Sequence, residues 1–293
     1  MKKTKILIPV YNDWKSVFKL LENINEGLDG WGSDVAEISV IIINDGSTEN
    51  RPENNSKFEN LKSIKIINMK ENKGHARCNA VGLKYINSKE DFDFVIPMDG
   101  DGEDRPQEIG SLLCKGYEDP EKVITANRVK RSEGLIFRLL YLFHKYLTFI
   151  FTGHMIKFGN YSCLPKHAVS KMVNEPATWS SFSGSLTKIA KDRNSISSER
   201  GKRYFGSSKM SFIKLLKHSL SIIAVFKKTL LIRSVLFLVA YLFLITGNIS
   251  GITLIPVIGV ITMMISVIIL SKREDMLGYS KSLENIKSID KIK

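Results

Sequence analysis

Two aspartates separated by one glycine, Asp99 and Asp101, follow a short hydrophobic run that ends at Met98. Two carboxylates at this spacing can hold a divalent cation such as Mg²⁺ or Mn²⁺. The cation would also bind a diphosphate and offset the negative charge that builds on it as a leaving group. Asp-Gly pairs are also ordinary turn formers, so the triplet alone does not distinguish a cation site from a turn. Its position directly after a predicted strand favours the cation site.

A third carboxylate, Asp45, lies in the polar stretch Asn44–Thr48, which directly follows another hydrophobic run. A carboxylate there can accept a hydrogen bond from a uracil ring N–H or from a ribose hydroxyl. The alternative is an aspartate that only shapes a turn. The polar stretch Tyr11–Asp13 follows the first hydrophobic run of the chain in the same way.

Residues 72–77 open a predicted helix and combine a glycine with positive charge. Gly74 and the helix N-terminus can host a phosphate, with Arg77 or Lys73 supplying charge. Arg77 is equally compatible with a solvated position on the helix. His75 is expected to be structural or solvated rather than catalytic.

Residues 200–210 form a basic loop punctuated by glycines, and they lead into an apolar and basic segment. Their charges lie where the phosphate of a membrane lipid would be presented. General attraction to anionic headgroups is the alternative, and composition does not separate the two.

The elements that must position these residues alternate along the first part of the chain. Predicted strands are Lys5–Val10, Ile38–Ile43, Ile64–Ile67 and Phe92–Met98, and predicted helices are Trp14–Ile24, Gly74–Ile86 and Pro106–Tyr117. This alternation predicts a doubly wound α/β sheet that is largely parallel. In such sheets ligands bind at the carboxyl ends of strands, which is where the polar stretches fall.

Residues 230–271 are almost uncharged and contain two candidate membrane spans, Ser234–Ile249 and Ile252–Leu270. The first is short for a bilayer core of roughly 30 Å unless residues 230–232 contribute. Lysine and arginine precede the first span and follow the second, so both flanks are expected to face the cytoplasm. The sequence therefore predicts a multi-pass protein of the cell (inner) membrane with its α/β domain and its tail in the cytoplasm.

Two further segments are amphipathic. Residues 132–152 carry a broad apolar surface with a narrow polar stripe, which indicates either a buried core helix or, as we prefer, a helix in the membrane interface. Residues 206–229 repeat this pattern beside the first span and are expected to form a juxtamembrane helix.

The net charge of +13 is unevenly distributed, since no acidic residue lies between Glu199 and Glu274. A basic cluster beside a membrane segment suits anionic headgroups or a phosphorylated lipid. No module that reads nucleic acid is apparent, so nucleic acid is not an expected partner. The three cysteines lack metal-type spacing and indicate only a reducing compartment.

Taken together, these stretches resemble glycosyltransferase family 2, in particular the polyprenyl-phosphate glycosyltransferases related to dolichol-phosphate mannose synthase. The matching stretches occur in the family's order and are Ile8–Asn12, Asn44–Thr48, Asn72–His75, Met98–Pro106 and Arg203–Met210. The paired C-terminal spans match one branch of that family.

The resemblance implies a Rossmann-like GT-A domain over residues 1–205, followed by the juxtamembrane helix 206–229, a transmembrane hairpin at 230–271 and a cytoplasmic tail at 272–293. It implies transfer of a sugar, with inversion, from a UDP- or GDP-linked donor to a polyprenyl phosphate. It also implies Mg²⁺ or Mn²⁺ at Asp99 and Asp101.

The resemblance and the residue patterns give three sets of expected site residues. The nucleotide-sugar set is Pro9, Tyr11, Asp13, Asp45, Gly74, Arg77 and Asp99. The acceptor-phosphate set is Arg200, Arg203, Ser208 and Lys209. The catalytic set is Asp99, Asp101 and Asn160.

The sequence departs from the family's pattern at three places. Asn44 replaces a frequent aspartate, Gly100 replaces the usual alanine, and Asn160 stands in a segment where many lipid-phosphate members have an aspartate. With no evident general base, a phosphate acceptor is favoured, because its second pKa of roughly 6 leaves it largely ionised. An alcohol acceptor would need proton removal.

Three alternatives remain open at this point. The acceptor can be another membrane glycolipid or a precursor of a surface polysaccharide. The chain can also be a non-catalytic, membrane-anchored binding protein on the same fold. A homo-oligomer is compatible with the sequence, whereas the absence of the Gln-x-x-Arg-Trp motif argues against polymerisation.

Overall fold

A computed structural model describes residues 1–28, 36–53, 56–130, 146–206, 212–272 and 275–293. The chain divides into two compact units. One, the sheet unit, comprises Met1–Arg131, Lys157–Lys209 and Met276–Lys293. The other, the apolar unit, comprises Ser132–Ile156 and Met210–Asp275.

In the described parts of the sheet unit, eight strands form one sheet. The strands are β1 (Lys2–Val10), β2 (Ala36–Asn44), β3 (Ser63–Met69), β4 (Phe94–Pro97), β5 (Val123–Lys130), β6 (Phe158–Pro165), β7 (Arg193–Glu199) and β8 (Ile286–Lys291). The helices of this unit are α1 (Trp14–Gly27), α2 (His75–Lys89), α3 (Ile109–Glu118), α5 (Lys166–Asn174), α6 (Phe182–Ile189) and α10 (Met276–Ser280). Every strand and helix predicted over the first 120 residues is present, with boundaries that differ by a few residues.

The strand order is β7-β5-β6-β4-β1-β2-β3-β8. Four pairs are parallel, namely β1–β2, β1–β4, β2–β3 and β5–β7, and the other three are antiparallel. The predicted α/β fold with a mostly parallel sheet is therefore confirmed, with a mixed region on the side that carries β6.

The central strand β1 is buried on both faces, as expected for a parallel strand covered by helices. Ile6 and Ile8 join the core that includes helix α1, whereas Leu7 faces helix α2. Gly82 of α2 allows that close packing, since a Cβ there would lie 2.3 Å from Leu7 Cδ1. This packing fixes the helix whose first turn reaches the candidate site.

The last part of the chain returns to the sheet unit after the apolar segment. Strand β8 pairs antiparallel with β3 and forms one edge of the sheet. The Tyr279 ring packs against the Trp179 ring in a tilted arrangement with centroids 5.3 Å apart. Lys84 Nζ donates hydrogen bonds to the carbonyls of Tyr279 and Ser280. Residues 276–293, most of the predicted cytoplasmic tail at 272–293, thus belong to the sheet unit, and their strand β8 is part of the sheet.

The apolar unit contains α4 (residues 146–152), α7 (Phe212–Ala224), α8 (Lys227–Ile245) and α9 (Gly251–Ser271). Helices α8 and α9 are 19 and 21 residues long, and both are long and apolar enough to cross a membrane. Helix α8 begins at Lys227, ahead of the predicted start at Ser234, so the helix is longer than the predicted span. At 1.5 Å per residue the two helices are about 28 and 32 Å long.

The predicted amphipathic helix 132–152 lies largely outside the described residues, which resume at residue 146. Its described end is helical and packs within the apolar unit through Phe151, which joins a cluster with Ile223, Leu230 and Val260. Arg233 Nη1 donates a hydrogen bond of 2.8 Å to the carbonyl of Ile150 near the end of this helix. Cationic groups at a helix C-terminus complement its dipole.

Candidate active site

The candidate site lies at the carboxyl ends of the neighbouring strands β1, β2 and β4. These strands run parallel to one another, so the polar residues that follow them lie on the same side of the sheet. The backbone N–H of Asp45 donates to the carbonyl of Val10 at 2.9 Å, and the N–H of Asn12 donates to Ser47 Oγ at 3.0 Å. The loops after β1 and β2 are thereby joined.

Asp45 is buried, and its carboxylate holds the loop that leads into α2. Oδ1 accepts from the N–H of Lys73 at 2.9 Å and Oδ2 accepts from the N–H of Gly74 at 2.8 Å. Burial raises the pKa of Asp45, while these two N–H donors act in the opposite direction. Gly74 has a φ of +93°, which suits glycine at this helix start. Contact of Asp45 with a uracil or a ribose remains a prediction.

Replacing Asp45 by alanine should destabilise the protein, because the partly buried N–H groups of Lys73 and Gly74 would lose their acceptor. A hydrogen bond to a charged acceptor contributes about 1.5–3 kcal/mol, and water replaces part of it, so we expect a loss of about 2–4 kcal/mol for the two together. Thermal unfolding of the purified protein in detergent would measure it. Glu49→Ala removes an exposed carboxylate from the same loop and should change stability by less than about 0.5 kcal/mol. Equal melting temperatures for the two variants would contradict this role.

The stretch that we call the acidic loop, residues 99–104, is held by its own last aspartate. Asp104 is buried, accepts the backbone N–H of Asp99 at 2.9 Å and pairs with Arg128 at 3.2 Å. Burial and the charge of Asp99 raise the pKa of Asp104. Neither Asp104 nor Arg128 is among the predicted site residues. Asp104 lies inside a matched motif and could have been found there, whereas Arg128 had no signal in the sequence.

The two glycines of the acidic loop are required by close neighbours. A Cβ on Gly100 would lie 2.9 Å from Val17 Cγ2, which explains the departure from alanine at this position. Gly102 has a φ of +90°, and a Cβ there would lie 2.6 Å from the ring of Tyr204. The acidic loop is therefore packed tightly on both sides.

Asp99 lies beside His75 and Asn160. Its Oδ1 is 3.3 Å from His75 Nε2 and accepts from Asn160 Nδ2 at 3.3 Å, and that amide nitrogen is 2.7 Å from His75 Nε2. Burial alone would raise the pKa of Asp99, but His75 and the more distant Arg128 outweigh burial and hold it well below its ordinary value. His75, expected to be structural or solvated, thus contacts the predicted cation site.

The residues that we call the arginine loop, 200–204, cover the acidic loop. Arg203 donates from Nη1 to Asp101 Oδ2 at 2.6 Å and from Nη2 to Asp13 Oδ2 at 2.7 Å. Arg200 Nε donates to Glu103 Oε2 at 2.9 Å. The N–H of Tyr204 also donates to the carbonyl of Asp101 at 3.0 Å, so backbone as well as charge joins the two loops.

The remaining predicted residues fall into three groups. Pro9 is buried in β1, and Tyr11 is 44% exposed at the end of that strand. The Arg77 guanidinium lies 5.1 Å from the centroid of the Trp179 ring, a cation–π distance. Ser208 and Lys209 lie outside the described residues.

The donor atoms at Asp99 and Asp101 fit a divalent cation. Within the described residues there is no cluster of three or more histidine, cysteine or acidic side chains that forms a complete cage. Mg²⁺ usually binds one or two carboxylates and takes its other ligands from water and substrate phosphates. Burial and the charge of Asp99 raise the pKa of Asp101, a like-charge conflict that a bound cation would relieve.

Comparison with known proteins identifies the fold and the family. The model of the family described as Glycosyl transferase family 2 matches residues 5–178. Among solved structures, glucosyl-3-phosphoglycerate synthase from Mycobacterium tuberculosis, in complex with Mn²⁺, UDP and glucosyl-3-phosphoglycerate, is 11% identical with a TM-score of 0.54. That match covers 78% of this chain and 80% of the other.

Two further structures are similar. The same M. tuberculosis enzyme with Mn²⁺, UDP-glucose and phosphoglyceric acid is 12% identical, with a TM-score of 0.54 and coverage of 78% and 80%. S. aureus TarS 1-349 is 13% identical, with a TM-score of 0.49 and coverage of 97% and 87%. The family model spans more than half of the chain, and the matched residues include the ends of β1, β2 and β4 and the acidic loop. The protein therefore belongs to glycosyl transferase family 2 and is a glycosyltransferase with a GT-A fold.

Proposed function

We propose that this glycosyltransferase transfers one sugar, with inversion, from a nucleotide-diphospho-sugar to a polyprenyl phosphate at the cytoplasmic face of a membrane. The observation that carries the proposal is that Asp45 follows strand β2 and that Asp99 and Asp101 follow strand β4. Both strands pair parallel with β1, and the same chain contains two membrane-length helices. The first feature supports a nucleotide-sugar donor, and the second supports an acceptor in the membrane.

The cation and the donor would be held at the strand ends. Asp99 and Asp101 would bind Mg²⁺ or Mn²⁺, which when present offsets the charge of the departing diphosphate. The M. tuberculosis enzyme of the same fold was solved with Mn²⁺ and UDP, which supports a UDP-linked donor here. Asp13, Asp45, Gly74 and Arg77 are the proposed surroundings of the nucleotide.

Asn160 supports a phosphate as the nucleophile. In an inverting transfer, a bond forms between the acceptor oxygen and the anomeric carbon, and the bond from that carbon to the diphosphate oxygen breaks. An alcohol would have to lose a proton in this step, and the amide of Asn160 cannot accept one. A phosphate monoester with a second pKa of roughly 6 is already largely ionised and needs no base. The contact of Asn160 with Asp99 gives the amide a positioning role instead.

The chain path supports the membrane arrangement. Helices α8 and α9 lie between Lys209 and Met276, and the segments on both sides of them belong to the sheet unit. A chain that leaves and rejoins one folded domain must cross a membrane an even number of times. Two crossings would put the catalytic domain and residues 276–293 on the same side, and the flanking lysine and arginine residues support the cytoplasm as that side.

Cysteine labelling would test this arrangement. In a background with the exposed Cys114 changed to serine, Asn248→Cys should react with an impermeant thiol reagent only from the outer side. Lys287→Cys, in the exposed part of β8, should react only after the membrane is opened. Ser282 would be an unsuitable site, since it is buried. Labelling of both positions from one side would exclude the hairpin.

A donor panel would test the reaction itself. Purified protein in detergent would be mixed with each nucleotide sugar, with and without a polyprenyl phosphate, and nucleotide release and lipid product would be measured. Release that depends on the lipid phosphate and yields a glycosylated lipid is the expected result. Release with a glycolipid but not with polyprenyl phosphate would support the alternative acceptor class. Donor binding with no turnover on any acceptor would instead indicate a binding protein.

A further inference from the structure

The arginine loop and the acidic loop neutralise each other in the structure. Arg203 bridges Asp13 and Asp101 with two short contacts, and Arg200 pairs with Glu103. The side chains of Arg203 and Asp101 are only 17% and 18% exposed, so solvent screens this pair less than a surface ion pair. The carboxylate expected to bind a cation and the guanidinium expected to bind a phosphate are thus engaged with one another.

We propose that Arg203 is the internal counter-ion of the cation site, and that the cation and the acceptor phosphate bind cooperatively by exchanging ionic partners. The phosphate half of this inference rests on the proposed function. A cation on Asp101 displaces one arm of the Arg203 guanidinium and leaves its charge available for an anion. A phosphate that binds Arg203 in turn leaves Asp101 available for the cation.

The backbone allows this exchange without separating the loops. The N–H of Gly201 donates to the carbonyl of Glu103 at 2.8 Å, and the N–H of Tyr204 donates to the carbonyl of Asp101. These bonds hold the two loops together while side chains change partners. Asp13, which accepts the other arm of the guanidinium, keeps Arg203 near the site.

Linkage makes the proposal quantitative. If the phosphate tightens cation binding by some factor, the cation must tighten phosphate binding by the same factor. Coupling between two sites on one protein is typically about 5-fold to 150-fold. A purely structural ion pair, which neither ligand disturbs, predicts no coupling.

The first experiment measures Mn²⁺ binding to the full-length protein in detergent, without donor, from the electron paramagnetic resonance signal of free Mn²⁺. Arg203→Gln should bind Mn²⁺ at least about tenfold more tightly than the unaltered protein, because a charge-assisted contact no longer competes for Asp101. Lys202→Gln removes the same charge from an exposed neighbour and should change the affinity by less than about threefold. Equal affinities for Arg203→Gln and the unaltered protein would overturn the counter-ion role.

The deciding comparison of the second experiment uses the unaltered protein. Farnesyl phosphate in the same micelles should tighten Mn²⁺ binding to the unaltered protein at least about fivefold, and farnesol should leave it unchanged. Inorganic phosphate at the same concentration separates a lipid phosphate from free phosphate, since an equal effect would assign the anion site to free phosphate. Arg203→Gln should lose most of the farnesyl phosphate effect, and Arg203→Lys should keep part of it. No effect of either phosphate on the unaltered protein would overturn the exchange.

The failures of the two proposals are distinguishable. If no sugar reaches polyprenyl phosphate but Arg203→Gln still binds Mn²⁺ more tightly, the acceptor proposal fails and the counter-ion role stands. Suppose instead that transfer occurs, but that neither Arg203→Gln nor farnesyl phosphate changes the affinity for Mn²⁺. The acceptor proposal then stands and the exchange fails.

Discussion

Asp101→Asn should lower sugar transfer at least about hundredfold while leaving the fold intact. Asparagine keeps the shape of the side chain but lacks the charge that binds a divalent cation. Electrostatic stabilisation of charge that develops in a transition state is typically worth about a hundredfold to a thousandfold in rate. The acidic loop should survive, because the backbone bonds of Gly201 and Tyr204 to this loop do not use the Asp101 side chain.

Initial rates at saturating donor and acceptor would measure this effect. Asp91→Asn is the matched control, since Asp91 is an exposed partner of Lys3 and its loss should leave the rate within about twofold. Excess chelator should inactivate the unaltered protein, and Mg²⁺ or Mn²⁺ should restore it. Full activity of Asp101→Asn, or of the unaltered protein in chelator, would remove the cation from the proposal.

Tyr279→Ala should lower the free energy of unfolding by about 3–5 kcal/mol, the usual cost of truncating a large buried aromatic side chain. Tyr279 is only 4% exposed and packs against Trp179, which in turn lies under Arg77 at the start of α2. The substitution would leave a cavity in the contact that attaches the C-terminal segment to the sheet unit. Thermal or denaturant unfolding in detergent would measure the loss.

Tyr279→Phe is the control, and it should behave in the opposite way. Among the described residues the Tyr279 hydroxyl is buried without a hydrogen-bond partner. Removing an unsatisfied buried hydroxyl is neutral or stabilising, so the melting temperature should stay the same or rise. Equal destabilisation by alanine and phenylalanine would mean that the hydroxyl, and not the ring packing, fixes the segment.

Much of the fold could be predicted because the first strands contain β-branched runs such as residues 40–43, which the structure buries. Strand β8 could not be predicted in this way. Its sequence, Ile286–Lys291, is short and mostly polar, as edge strands commonly are, and it pairs with a strand more than 200 residues earlier. Nothing local in those six residues marks the pairing.

The carboxylates of the candidate site could also be predicted from their positions after the strands. Asp45, Asp99 and Asp101 follow strands, so a parallel sheet necessarily places them at one edge. The partners of these carboxylates were not predictable. Asp13 and Arg203 are 190 positions apart, and only the folded chain shows that the guanidinium lies against two carboxylates. The roles of His75 and Arg128 beside the acidic loop likewise depend on tertiary contacts.

Strand β8 also imposes an order on biosynthesis. The ribosome makes β3 before β8, with both apolar helices in between. The edge of β3 therefore has no partner until the hairpin has been made, and an unpaired edge strand is a template for aggregation. Completion of the eight-stranded sheet must therefore follow synthesis of both apolar helices. A nascent chain that stalls between β3 and β8 would expose this edge to other chains.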